Sequence, residues 1–193
     1  MKGYSYGVTI PTNDGLICIG GEWGVYNNNI LQKNISNKVF MIKHLGNGRL
    51  EIDDMIFPEI PEPIYAMGGA KIGNNIFVVG GDNGINETKN FWKLDLLKKD
   101  KWEVLIPWEG SPRSHLLVAA QSDGERDCLY IFSGRFNDPQ RGWQFLSDGF
   151  KYDPIHNSWT TISDVGTNLS NNNAYKTHPN IEKNIGDILY FMK

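Results

Sequence analysis

Leu16-Ile17-Cys18-Ile19-Gly20-Gly21, Ile76-Phe77-Val78-Val79-Gly80-Gly81 and Leu129-Tyr130-Ile131-Phe132-Ser133-Gly134 are three versions of one pattern, an apolar run of strand length that stops at glycine. They recur 60 and then 53 residues apart, counted from Gly20 to Gly80 to Ser133. Each of the last two is followed by a second apolar element and a tryptophan, Phe91-Trp92-Lys93-Leu94-Asp95 with Trp102 and Gly149-Phe150-Lys151-Tyr152-Asp153 with Trp159; the two tryptophans lie 57 residues apart. The middle unit shows four strand-length segments, Ala66 to Ile72, Ile76 to Val79, Phe91 to Leu96 and Trp102 to Leu105, separated by turn-forming residues.

An internal period of this size, with about four short strands per unit, is the signature of a kelch-type β-propeller with one repeat per blade. The glycine pairs supply backbone freedom where another chain segment approaches closely, and the tryptophans fill the wedge between blades. Unrelated hairpins in a β-sandwich would explain the strands but not the recurring glycine and tryptophan positions. The expected fold is therefore all-β, with blade one over 6–54, blade two over 65–105, blade three over 114–162 and a partial blade over 168–193 that ends in Ile188-Leu189-Tyr190-Phe191-Met192. With a mean period of 56.5, the 193 residues hold about 3.4 units, whereas closed propellers need at least roughly four. The open ring is expected to leave apolar edges at Tyr6 to Ile10 and at Ile188 to Met192, and hence a tendency to self-associate.

Composition agrees with this class and removes others. The 21 Gly, 9 Pro, 6 Trp and 8 Tyr favour turns and aromatic strands. A net charge of −3 leaves no basic excess for a phosphate backbone, so nucleic acid is not an expected partner. No apolar run approaches the roughly 18 residues of a membrane span, and Met1-Lys2-Gly3-Tyr4-Ser5 leads into no signal-peptide core, so the chain as given reads as cytoplasmic. Cys18 and Cys128 sit inside apolar strands and read as free thiols. His44, His115, His156 and His178 are scattered without metal-ligand spacing, so no metal site is expected.

In a four-stranded meander, labelled a to d outward from the axis, the approach to strand a and the b-to-c connection lie on one face. That face collects Tyr4, Tyr6, Tyr65 and Ser111-Pro112-Arg113-Ser114-His115 with Glu22, Trp23, Tyr26, Asp82, Asn83, Asn86, Arg135, Asn137, Asp138 and Arg141. Three of the five arginines, Arg113, Arg135 and Arg141, fall here in one blade.

Tyr6-Gly7-Val8-Thr9-Ile10-Pro11 with Gly15 to Glu22 resembles the last blade of the bacterial sialic acid (N-acetylneuraminate) mutarotases, also called epimerases. Gly110-Ser111-Pro112-Arg113, Cys128 to Gly134 and Lys151 to Trp159 resemble their early blades, and a terminal blade placed first is the order seen in cyclically permuted relatives of these enzymes. The resemblance implies a roughly six-bladed kelch propeller that interconverts the α and β anomers of a sialic acid without metal or organic cofactor; such enzymes are often periplasmic. The chemistry asks for a general acid or base at the anomeric hydroxyl and ring oxygen, and a cation for the sugar carboxylate. In the family the proposed catalytic glutamate lies in a later blade, so that role is not carried over to Glu22.

Read from the residues themselves, Arg113 either grips a carboxylate in bidentate fashion or braces the neighbouring blade through backbone carbonyls. Arg135 and, less directly, Arg141 are candidates for substrate contact, with solvated loop charge as the plain alternative. Glu22 is the candidate acid or base, or an inter-blade carboxylate. Tyr6 and His115 could hydrogen-bond sugar hydroxyls or simply pack. Two functions remain open: a carbohydrate isomerase acting on a small sugar, and a non-catalytic kelch scaffold whose loops grip a protein. The blade order and the lack of an attached assembly module favour the isomerase.

Overall fold

The computed structural model describes residues 4–28 and 30–162. Among them there are only strands, β1(Val8–Thr12), β2(Gly15–Ile19), β3(Glu22–Asn27), β4(Ile30–Ile35), β5(Val39–His44), β6(Leu50–Asp53), β7(Gly68–Ile72), β8(Asn75–Val79), β9(Phe91–Asp95), β10(Trp102–Val104), β11(Leu117–Ser122), β12(Asp127–Phe132), β13(Arg135–Asp138), β14(Gly142–Phe145), β15(Gly149–Asp153) and β16(Ser158–Ile162). Twelve of these build three four-stranded antiparallel sheets, β1-β2-β5-β6, β7-β8-β9-β10 and β11-β12-β15-β16. The arrangement is that of propeller blades: β1, β7 and β11 run innermost and neighbour one another. The partial blade expected over 168–193 lies outside the described residues, as does its apolar run Ile188 to Met192.

Packing follows from the two-residue alternation of strands. Val8, Ile10, Ile17, Ile19, Val39 and Met41 of the first sheet meet Ile76, Val78, Trp92, Leu94 and Trp102 of the second in one apolar core. The opposite face of the second sheet, with Phe77, Val79 and Phe91, meets Leu129, Ile131, Phe150 and Tyr152 of the third. The middle sheet is thus covered on both faces, which is why β8 reads as an unbroken Ile-Phe-Val-Val run. Each fully buried Ile or Leu here contributes about 1.5–3 kcal/mol of transfer free energy. The tryptophans close the wedges: Trp102 Nε1 donates to Pro58 O at 3.0 Å and Trp159 Nε1 to Ile106 O at 2.9 Å.

Three details depart from the sequence reading. The second sheet starts at Gly68 rather than Ala66, because Ala66 has φ 52° and cannot continue a strand. The expected apolar edge at Tyr6 to Ile10 is not open, since Val8 and Ile10 point into the first core; the apolar surface lies instead on the outer face of the same sheet. Two of the three b-to-c connections are β-hairpins, β3-β4 and β13-β14, not simple loops. The stretch Ile30-Leu31-Gln32-Lys33-Asn34-Ile35 pairs back on Glu22–Asn27 in regular register, with Asn28 at φ 49° in the turn.

Candidate functional site

One backbone device recurs in all three sheets. The residue after the glycine pair, or after Ser133-Gly134 in the third sheet, forms an antiparallel bridge with the residue three before strand a: Glu22 with Ser5, Asp82 with Tyr65, Arg135 with Ser114. The next residue in each case, Tyr6, Ala66 and His115, takes a left-handed backbone with φ of 54°, 52° and 55°. Ala66 N donates to Tyr6 O and His115 N to Ala66 O, both at 2.8 Å, so the three are linked from sheet to sheet at the innermost position. The glycine pairs make the approach feasible. Gly80 has φ 63°, and a Cβ there would stand 2.6 Å from Arg113 O, while Gly81 N donates to that same carbonyl at 2.8 Å. Ser133 takes the same left-handed conformation at φ 54° without being glycine.

The device carries polar side chains to one face. Tyr65 Oη donates to Asp82 Oδ2 at 2.9 Å; burial and this carboxylate push the Tyr65 phenol up to about 12, so it stays a donor at neutral pH. Asp82 Oδ1 accepts from Gly84 N at 2.7 Å. His115 lies edge-on to Tyr6, with ring centroids 5.8 Å apart, and its Nε2 is 3.5 Å from Arg135 Nη2. Burial first, and the Arg135 charge second, pull the His115 imidazole below its ordinary value, against the weaker opposite pull of Asp82 and Glu87. The Arg135 guanidinium stacks 4.6 Å from the Trp143 ring centroid on β14. Its Nε is shut off from solvent and has no hydrogen-bond partner among the described residues.

The other expected residues are placed differently. Arg113 is fully buried. Its guanidinium meets Asp148 end-on through Nη1 and Nη2, at 2.8 and 3.0 Å, and also donates to Ser133 O at 2.9 Å and Ser111 O at 3.4 Å. The bidentate partner of Arg113 is therefore the protein's own carboxylate, and the residue acts as a brace rather than as a free cation for substrate. Glu22 is buried, with Lys33 Nζ at 3.1 and 3.3 Å from its two oxygens. Arg141 is exposed on the third-sheet hairpin. Among the described residues no group of three His, Cys, Asp or Glu is placed to hold a metal ion, and both cysteines are free.

Asp148, Glu87 and Trp143 were not legible as site residues. Asp148 stands where strand c begins, and its carbonyl accepts from Ser133 N just as Lys38 and Asn90 accept from Gly20 and Gly80; the repeat register was the available signal. Glu87 Oε2 accepts from Asn137 N at 3.1 Å, tying the second sheet's loop to the third sheet's hairpin. Trp143 is visible only once β13 and β14 are known to pair, because the partner of Arg135 is then a neighbour across that hairpin.

Meander sheets arranged as blades, with a polar cluster on the face where the innermost strands begin, define an all-β protein of the propeller-blade type. Comparison with known proteins narrows this. The family model described as N-acetylneuraminate epimerase matches residues 57–174, more than half of the sequence, and the chain belongs to that family. Among curated relatives, the N-acetylneuraminate epimerase of Pasteurella multocida (strain Pm70) is 33% identical over 107 residues, covering 55% of this chain and 26% of the relative. That of Shigella sonnei (strain Ss046) is 28% identical over 150 residues, covering 73% and 39%, and that of Escherichia coli O1:K1 / APEC is 32% identical over 108 residues, covering 55% and 27%. The chain thus spans between about a quarter and two fifths of the length of these relatives.

Proposed function

We propose that this chain supplies part of the sugar-handling face of a sialic acid mutarotase, which interconverts the α and β anomers of N-acetylneuraminate. Ring opening removes the proton of the anomeric hydroxyl, breaks the bond from the anomeric carbon to the ring oxygen and returns a proton to that oxygen. The resulting open-chain ketone rotates and closes on its other face, so atoms balance and no electrons leave. The protein must hold the sugar carboxylate with a cation and offer groups that accept and give protons near neutrality.

Arg135 carries the reading. It is a half-buried guanidinium on the axial face with an unbonded Nε, stacked on Trp143 and set beside an imidazole kept neutral by its surroundings. In this reading Arg135 takes the carboxylate, His115 and the Tyr65-backed Asp82 handle protons, and Tyr6 packs along the sugar. Glu22, already paired with Lys33, contributes field rather than contact. The family membership supports the substrate class. The test follows freshly dissolved α anomer by NMR with and without protein. Acceleration over buffer, cut at least tenfold by Arg135→Ala, is expected; no acceleration by a folded chain contradicts activity in this chain alone. A non-catalytic scaffold is the second reading, favoured by the strongly exposed hairpin residues Tyr26, Ile30 and Phe145.

A further inference from the structure

The hairpin β13-β14, which carries Arg135 and Trp143, is a two-stranded piece of sheet, and such a pair has little stability of its own in water. Its register decides where its support comes from. Leu146 N donates to Gly134 O at 2.9 Å, so the hydrogen-bonded positions along β13 are Phe136 and Asp138, opposite Gln144 and Gly142. The backbone groups of Arg135 and Asn137 therefore point away from β14 and need partners elsewhere. Arg135 exchanges both of its backbone hydrogen bonds with Ser114, at 2.9 Å each. Asn137, the residue directly across from Trp143, donates its N–H to Glu87 Oε2 at 3.1 Å. Among the described residues, Glu87 is the only side chain of the second sheet's loops that hydrogen-bonds this hairpin.

Glu87 stands on a fixed base. It bridges to Asp82; Thr88 N donates to Gly81 O at 2.8 Å, and Thr88 O accepts from Arg113 N at 3.1 Å. The segment is thus tied to the glycine pair of its own sheet and to the buried arginine of the next, and the half-buried carboxylate reaches across from a defined origin. At the other end, Arg135 lies opposite Phe145, two residues from Trp143, which makes Arg135 and Trp143 diagonal neighbours. Holding Asn137 fixes the level at which the indole stands beside the guanidinium, 4.6 Å from it.

We infer that Glu87 is a positioning residue: through Asn137 it holds the hairpin so that Trp143 backs the Arg135 guanidinium and aims it at a sugar carboxylate. Only the identity of that carboxylate rests on the sialic acid reading. Charge gives the role a sign. Glu87 is close enough to His115 and Tyr65 for its negative charge to act on both, and it repels an anion bound at Arg135. Its benefit therefore comes through the hydrogen bond, which a glutamine carbonyl can also accept and alanine cannot.

The test compares Glu87→Ala and Glu87→Gln with the unaltered full chain by NMR. In Glu87→Ala the Asn137 amide should exchange about tenfold faster, and the nuclear Overhauser contact between the Trp143 ring and the Arg135 side chain should weaken; Glu87→Gln should keep both. Titration with N-acetylneuraminate should show affinity about fivefold weaker in Glu87→Ala and unchanged or tighter in Glu87→Gln. A full Trp143–Arg135 contact in Glu87→Ala would overturn the inference. So would an equal loss of affinity in the two variants, which would mean that the carboxylate itself touches the sugar. If the unaltered protein binds no N-acetylneuraminate, the sialic acid reading fails, and the exchange and contact measurements still decide whether Glu87 positions the hairpin.

Discussion

Arg113 and Asp148, 35 residues apart in sequence, meet end-on across the start of the third sheet, with Nη1 2.8 Å from Oδ1 and Nη2 3.0 Å from Oδ2. The guanidinium also lies beside the rings of Trp108 and Phe150, 5.4 and 5.3 Å from their centroids. Asp148→Asn leaves a fully buried cation without its counter-charge. Breaking a buried pair from one side costs about 3–5 kcal/mol, and the partial exposure of Asp148 places the expected loss near the lower end. Chemical denaturation of Asp148→Asn, Arg113→Met and the double variant checks this; the double variant should lose less than the two single losses added together.

The left-handed positions give opposite outcomes at equivalent sites. Gly80→Ala forces a Cβ to 2.6 Å from Arg113 O at φ 63°, and should destabilise by about 2 kcal/mol or more. Ser133 holds φ 54° with a side chain present, so Ser133→Gly should be neutral or stabilising by up to about 1 kcal/mol. Thermal unfolding of the two variants side by side distinguishes a conformational requirement from a general intolerance of change.

These two sites show how much could be read beforehand. The glycine pairs and tryptophans recur in sequence because each blade meets the same backbone carbonyls and the same wedge, so the blade units and the axial face were visible from spacing alone. Arg113 was not, because a lone arginine before a strand looks the same whether its carboxylate is a ligand or Asp148 across the sheet. Arg135 was visible as a candidate, but its stacking on Trp143 depends on a hairpin that the run Asn137-Asp138-Pro139-Gln140-Arg141-Gly142 reads as loop. Alternation reveals which residues share a face and leaves open what covers that face, hence the misplaced apolar edge at Tyr6 to Ile10.

His115 provides a pH readout of the axial cluster. Its imidazole is held below the ordinary 6.5 by burial and by the Arg135 charge. The neutral form is therefore favoured in the folded state. The associated stability is present above about pH 6.5 and is lost as pH falls through the depressed value, because the unfolded chain binds the proton more readily. NMR titration should find the His115 midpoint below 6.5, and Arg135→Gln should move it upward. No movement would mean that the Arg135 charge does not act on the imidazole.

The ion pairs at the far end of the third sheet set its acid limit. Asp153 is held at about 2, first by the His156 hydrogen bond and then by backbone donors. Asp123 is lowered first by Lys151. Both contributions are complete above the ordinary carboxylate value of 3.8 and fade as pH falls below it. Unfolding followed between pH 5 and pH 2 should show stability falling in that window, and falling less in Asp153→Asn.

The most direct test of the axial face as a sialic acid site is chemical-shift mapping of the full chain with N-acetylneuraminate and, separately, with its methyl ester. The account predicts shifts concentrated at the His115 imidazole, the Trp143 indole and the Tyr65 ring, produced by the free acid, much weaker with the ester and abolished by Arg135→Ala. Shifts confined to other parts of the molecule, or equal for acid and ester, would contradict it.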